Sequence, residues 1–127
     1  MPVIGSPAEL TAQGAVEVVV PALSAAVAFY RQLGFTLERE TPTFVTLRWE
    51  SVFLFVAQND AATIAPRWTS VRIMVGNVDA IWERVQRLQL PVGSPIADRS
   101  YGLRDFTVKD PAGFEIRFAQ VMVSTAR

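Results

Sequence analysis

The strongest constraint on the fold is an internal repeat with a fixed spacing of 55 residues. Residues Val18–Phe35 and Ile73–Leu90 align without a gap at that spacing (73 − 18 = 55). Each copy opens with three apolar residues, which predict a strand, and continues through a polar turn into a segment with helical periodicity. We predict helices over residues 24–33 and 79–88. Their apolar stripes are formed by Val27, Tyr30 and Leu33 in the first copy and by Trp82, Val85 and Leu88 in the second.

Local signals indicate where these helices begin and end. Ser24 and Asp79 occupy equivalent positions, and the side-chain oxygen of either residue can accept from the free amides of a first helical turn. We therefore expect both residues to be N-caps. Gly34 follows the first helix and is expected to end it in a left-handed conformation, which glycine adopts without steric penalty.

Strand patterns follow each helix. In the first half, residues 44–49 and 52–56 are β-rich and are separated by two residues that suit a tight hairpin. In the second half, residues 105–109 and 114–119 flank the turn sequence Asp110–Gly113. Each half is therefore predicted to be a strand, a helix and three further strands.

These patterns predict one α+β domain over residues 14–127, preceded by an N-terminal arm of residues 1–13. The domain contains two β-α-β-β-β modules, at about residues 14–58 and 68–121. Two sheets of this kind, joined side by side, are expected to curl into a cup-shaped open barrel with the helices outside. The cleft of that cup is where we expect the functional site.

Composition narrows the class of function. Twelve basic and twelve acidic side chains give a formal net charge of zero, so nothing favours nucleic acid or an anionic membrane as a partner. Cysteine and histidine are both absent, which excludes disulfides, thiolate nucleophiles and zinc–thiolate sites. No apolar run is long enough to span a membrane, and the first residues lack the pattern of a secretory signal. We expect a cytoplasmic protein.

Two motifs are typical of a known protein family. Residues Leu23–Phe35 form a helical segment with an aromatic pair and a closing Leu-Gly-Phe. Residues Tyr101–Gly113 form an aromatic-Gly block that runs into Asp-Pro-Xaa-Gly. Both motifs resemble those of the vicinal oxygen chelate superfamily of glyoxalases, bleomycin resistance proteins and dioxygenases. The resemblance covers roughly residues 14–121, is nearest to the bleomycin-resistance-like members, and implies the paired modules described above.

The resemblance also locates the positions that bind metal in the enzymes of that superfamily. Those enzymes take one ligand from the first strand and one from the last strand of each module, which places the positions near Ala15, Leu54, Ser70 and Arg117. Alanine and leucine have no donor atom, serine is a poor ligand, and arginine repels a divalent cation. We therefore expect no metal and no other cofactor. The last strands can be aligned at a spacing of either 62 or 63 residues.

Strand alternation then predicts which charged side chains enter the cleft. If Ala15 and Ser70 point inward, so do Glu17 and Arg72, and Arg117 points inward from the last strand. These charges either form salt bridges that support a relic metal site or orient a ligand.

Aromatic residues complete the candidate site. The resemblance implies that Phe44 and Tyr101 border the ligand groove, and Trp68 lies near a strand start. Each could instead be ordinary packing. Arg104 is a further candidate for ligand binding, with a structural ion pair to Asp105 as its alternative.

The favoured function is a noncatalytic protein that confers resistance by sequestering an antibiotic in grooves at a homodimer interface. The zero net charge favours a neutral planar compound over cationic bleomycin. The alternative is a metal-independent enzyme, an isomerase or cyclase, with Glu17 as general base and Arg72 or Tyr101 stabilising an oxyanion. A third hypothesis is a degenerate module kept for dimerisation or regulation.

Overall fold

Each half of the chain contains one strand, one helix and three further strands, as the sequence predicts. The computed structural model describes residues 15–62 and 70–122 and divides into two units, Met1–Thr63 and Ile64–Arg127. Unit 1 contains β1 (Val16–Val20), α1 (Leu23–Leu33), β2 (Thr36–Thr41), β3 (Phe44–Trp49) and β4 (Val52–Gln58). Unit 2 contains β5 (Ser70–Met74), α2 (Val78–Arg87), β6 (Val92–Asp98), β7 (Leu103–Lys109) and β8 (Glu115–Val121).

The two sheets have the same topology. Their strand orders are β1-β4-β3-β2 and β5-β8-β7-β6. The first strand of each unit pairs parallel with the last, and the other pairs are antiparallel. The α+β class and the two β-α-β-β-β modules are therefore confirmed. The N-terminal arm lies outside the described residues, and the pairing of the modules into a cup stays a prediction.

In each unit the core lies between the helix and one face of the sheet, which we call the helix face. In unit 1, Tyr30 and Leu33 of α1 are fully buried. In unit 2, the ring centroid of Trp82 on α2 lies 5.1 Å from that of Phe106 on β7. Fully buried residues on the helix faces of the strands include Val45, Leu47, Val56, Val108, Ile116 and Phe118. The opposite face of each sheet, which we call the open face, is therefore where partly exposed side chains collect.

The helix starts differ from the prediction. Both helices begin one residue earlier than expected, so Ser24 and Asp79 lie inside the first turn and the prediction that they are N-caps is wrong. Ala22 is the N-cap of α1 and makes no side-chain capping bond. Asn77 is the N-cap of α2, and its side chain accepts from the Ala80 amide at 3.2 Å. Gly34 ends α1 with a φ of 131°, which confirms the predicted positive φ.

A glutamine at the end of each unit's last strand also caps that unit's helix. Gln58 Oε1 accepts from the Leu23 amide at 3.2 Å, and Gln120 Oε1 accepts from the Val78 amide at 2.8 Å. These glutamines are 62 residues apart (120 − 58 = 62), whereas the first strands and helices repeat at 55. The last strands of the two units are thus equivalent at a spacing of 62.

Neither of the helices within residues 15–62 and 70–122 is both long and apolar enough to cross a membrane.

Candidate functional site

The strand register decides which residues share the open face of unit 1. Glu17 on β1 and Thr46 on β3 both pair with Phe55 on β4. Leu54, the neighbour of Phe55, is 1% exposed and lies on the helix face. The position equivalent to Arg117 is therefore Phe55 (117 − 62 = 55). Of the two predicted alignments the 62-residue spacing holds, and the position near Leu54 is corrected to Phe55.

Phenylalanine side chains form a cavity on this open face. The cavity has a volume of about 310 Å³ and is lined by Glu38, Arg39, Thr46, Phe53 and Phe55. We call it the phenylalanine pocket. Phe53 and Phe55 are both half-buried, so each presents part of an aromatic ring to a bound molecule.

Two of the predicted residues lie beside this pocket. The Phe44 ring centroid is 5.4 Å from that of Phe55, so Phe44 supports a pocket wall although it is not one of the lining residues. Glu17 is exposed on the neighbouring strand. Unit 1 thus brings Glu17 and Phe44 to a single face of its sheet.

A buried carboxylate organises the open face of unit 2. Asp105 on β7 is 0% exposed and accepts from Arg99 Nε at 2.8 Å, from the Tyr101 hydroxyl at 2.6 Å and from Arg117 Nη1 at 3.3 Å. We call these four residues the Asp105 cluster. Because charge-assisted bonds hold each donor, the cluster positions a tyrosine ring and two guanidinium groups.

The protonation states follow from these contacts. Burial alone would raise the pKa of Asp105. Hydrogen bonds from Tyr101 and Arg99, together with the charges of Arg117 and Arg99, outweigh burial and hold the pKa of Asp105 below its usual value. The hydrogen bond to Asp105 raises the pKa of Tyr101. Tyr101 therefore stays protonated near neutral pH and donates a hydrogen bond to Asp105, so its hydroxyl is not free to donate to an oxyanion.

Arg72 lies beside the cluster on β5. Its Cα pairs in register with that of Arg117, and its guanidinium carbon is 5.8 Å from the centroid of the Tyr101 ring, within cation–π distance. Unit 2 thus brings Arg72, Tyr101 and Arg117 together, and their role in ligand binding stays a prediction. Trp68 lies outside the described residues.

Arg104 is placed elsewhere. Its side chain bonds Asp79 in the first turn of α2 at 2.8 Å and Asp98 on β6 at 3.0 Å. The predicted alternative, an ion pair between Arg104 and Asp105, is therefore wrong, because the two side chains point to opposite faces of β7. The hydrogen bonds raise the pKa of Arg104, and the bond from Arg104 lowers the pKa of Asp79.

The residues at the family's ligand positions do not fit a metal ion. With the corrected register these positions are Ala15 and Phe55 in unit 1 and Ser70 and Arg117 in unit 2. The first two have no donor atom, and Arg117 is a cation whose Nη1 is bound to Asp105. Within the described residues, no group of three or more histidine, cysteine, aspartate or glutamate side chains could hold a metal.

The sequence does not identify as site residues any of the five residues that line the phenylalanine pocket, which include Phe53 and Phe55, or Arg99 and Asp105 of the Asp105 cluster. The signal for the two phenylalanines was their spacing of two residues, which places both on one face of a strand. Arg99 and Tyr101 reach Asp105 from the connection between β6 and β7, and Arg117 reaches it from β8, a combination that no local pattern reveals.

Residues 12–118 match the family described as the Glyoxalase/Bleomycin resistance protein/Dioxygenase superfamily, and the chain belongs to it. No curated protein sequence matches this chain.

Solved structures share the fold. A glyoxalase/bleomycin resistance protein/dioxygenase from Alicyclobacillus acidocaldarius has a TM-score of 0.77 at 18% identity, covering 87% of this chain and 91% of that chain. The bleomycin-binding protein from bleomycin-producing Streptomyces verticillus, complexed with copper(II)-bleomycin, has a TM-score of 0.68 at 23% identity, with coverages of 87% and 95%. A lactoylglutathione lyase from Agrobacterium tumefaciens has a TM-score of 0.66 at 19% identity, with coverages of 84% and 92%. Binding proteins and enzymes are both among the similar structures.

Proposed function

We propose that this protein is a noncatalytic small-molecule binder that sequesters a planar compound, such as an antibiotic, and confers resistance by doing so. The observation that carries this proposal is the phenylalanine pocket. Two half-buried aromatic rings line it, and one of them, Phe55, lies where metal-dependent members of the superfamily carry a ligand. Aromatic faces suit planar heterocycles, because offset and edge contacts add about 0.5–1.5 kcal/mol beyond the area that is buried.

The size of the pocket limits what it can hold. Its volume of about 310 Å³ lies at the lower end of the roughly 300–1,000 Å³ that is common for small-molecule sites. One planar ring system fits this volume, whereas most of a glycopeptide would lie outside it. The zero net charge also offers no long-range attraction to cationic bleomycin, so we propose a neutral planar group as the occupant of this pocket.

Two further parts of the proposal concern the whole protein. We propose that it acts in the cytoplasm and that it is a homodimer. The sheets support the second part, because β2 and β6 each end the strand order of a sheet, and unpaired strand edges favour association with another chain.

The test is to titrate the protein with a neutral anthraquinone and, separately, with bleomycin, and to measure both affinities by isothermal titration calorimetry. The anthraquinone should bind the more tightly of the two. Phe55→Ala should weaken its binding by about 1–3 kcal/mol, the usual range for an aromatic contact at the centre of an interface.

Phe55→Leu is the matched control, because it keeps apolar volume and removes the flat ring. Its affinity should fall between those of the wild type and Phe55→Ala. Equal anthraquinone affinity in all three proteins, with unchanged melting temperatures, would refute stacking in the phenylalanine pocket.

A further inference from the structure

The open face of unit 2 carries an excess of positive charge. Arg99 and Arg117 share the single carboxylate of Asp105, so one of these two guanidinium charges is not neutralised within the cluster. Glu115 and Lys109 pair across β8 and β7 in register and offset each other. Arg72 adds another cation, so the described residues of this face have a net charge of +2, in a chain whose total is zero.

Arg72 is available for a ligand. The residue is exposed, and within residues 15–62 and 70–122 its guanidinium group lies beside the Tyr101 ring and forms no side-chain hydrogen bond or ion pair. A guanidinium group has five N–H donors, and a contact with a ring face uses none of them in a strong hydrogen bond. Arg117 also has N–H donors available for a ligand, because its hydrogen bond to Asp105 uses one nitrogen, Nη1, of the three in the guanidinium group.

The Tyr101 ring is a fixed surface beside these donors. Its hydroxyl is held by the buried carboxylate at 2.6 Å, while the residue remains 55% exposed. A large exposed aromatic side chain that is held by a buried partner loses little conformational entropy when a ligand stacks on it. The Tyr101 ring and the guanidinium group of Arg72 therefore lie side by side in the protein without a ligand.

From this arrangement we infer that the open face of unit 2 binds the carboxylate of an aromatic acid. The carboxylate is held by Arg72 with support from Arg117, and the ring of the acid lies against Tyr101. This inference rests on the proposed binding function and deepens it, because it assigns an anionic aromatic ligand to unit 2 alongside the neutral planar group in unit 1.

The experiment compares 2-naphthoate with 2-naphthamide, which have the same ring system and differ in charge. Naphthoate should bind the wild type roughly tenfold more tightly, as expected for one charge-assisted hydrogen bond near the surface. Arg72→Gln should abolish this preference. Arg87→Gln, which removes the same charge from the last turn of α2 in the same unit, should keep it.

Raising the salt concentration to about 0.5 M should reduce the preference, because the Debye length falls from about 10 Å at 0.1 M towards 3 Å at 1 M. Equal affinities for the two probes, or a preference that survives Arg72→Gln, would overturn the inference and leave the phenylalanine pocket untouched. Failure of both naphthalenes to bind would also overturn it. The anthraquinone titration reports on the proposed function separately, so the two failures can be told apart.

Discussion

Asp105 should be the side chain of unit 2 whose charge contributes most to the stability of the fold. It is 0% exposed and accepts three hydrogen bonds, two of them from arginines. Removing one partner of a buried ion pair costs roughly 3–5 kcal/mol. The side chains of Arg99 and Arg117 keep 27% and 24% exposure, so water can solvate them in part. We expect Asp105→Asn to lower the free energy of unfolding at pH 7 by about 2–4 kcal/mol.

The matched control is Asp98→Asn, the same substitution one strand away. Asp98 also pairs with an arginine, but its side chain is 64% exposed and Arg104 keeps its second partner, Asp79. Exposed pairs contribute about 0–1 kcal/mol, so this variant should unfold close to the wild type in urea. Equal losses in the two variants, within about 0.5 kcal/mol at unchanged m-values, would refute the view that the buried carboxylate organises this face.

The stability difference between the wild type and Asp105→Asn should also depend on pH in a defined direction. The folded-state pKa of Asp105 is below its usual value, so its stabilisation is complete above the unfolded pKa, which is about 3.9. It is lost as the pH falls through the folded pKa. The stability difference between wild type and Asp105→Asn should therefore be full at pH 7 and should shrink below about pH 4. A difference that grows on acidification would contradict the assigned protonation state.

Other parts of the molecule give four further predictions. A methyl group at Gly93 would collide with Thr107 Oγ1 and lie 2.9 Å from Glu115 Oε2, whereas nothing lies within 4 Å of a methyl group at Gly76. Gly93→Ala should therefore lower the free energy of unfolding by about 1–3 kcal/mol. Thermal melting should show a lower melting temperature for Gly93→Ala and almost no change for Gly76→Ala. Gln120→Met removes the acceptor for the first amide of α2 and should cost about 1 kcal/mol in urea unfolding, whereas Gln86→Met on the exposed surface of α2 should cost almost nothing. Light scattering should give about 28 kDa, twice the 14.0 kDa chain, and a stable monomer at micromolar concentration would refute the homodimer. Elemental analysis after dialysis should find no stoichiometric divalent metal, and one metal per chain would refute the conclusion that Ala15, Phe55, Ser70 and Arg117 cannot hold a metal ion.

The repeat made the architecture predictable from sequence. Helical and strand periodicities are local properties, so Val18–Phe35 and Ile73–Leu90 reveal two equivalent units without any knowledge of packing. The hairpin between β3 and β4 and the turn before β8 are also local, and their positions were predicted within one or two residues.

The faces of the last strands could not be predicted with the same certainty. Residues Val52 to Val56 are all apolar, so alternation gives no sign of which side faces the helix, and a shift of one residue exchanges the two faces. The sequence alone therefore does not distinguish Leu54 from Phe55 as the residue on the open face.

Side-chain partners that come from distant strands were harder still. The amide of Val78 at the start of α2 is capped by Gln120, which is 42 residues away in the chain. Local preference alone favours Asp79 as the N-cap. The local sequence suggests an ion pair between Asp105 and its chain neighbour Arg104, but neighbouring residues on a strand point to opposite faces, and the two side chains have different partners.

We propose that this protein binds its ligand without changing it. The most direct test is to incubate the purified protein with an excess of the neutral anthraquinone, to separate protein from free compound, and to identify both fractions by liquid chromatography and mass spectrometry. We predict that unmodified anthraquinone is recovered from the protein in a fixed molar ratio and that the free fraction is unchanged. A chemically altered product in more than stoichiometric amount would contradict the account, whatever the affinity.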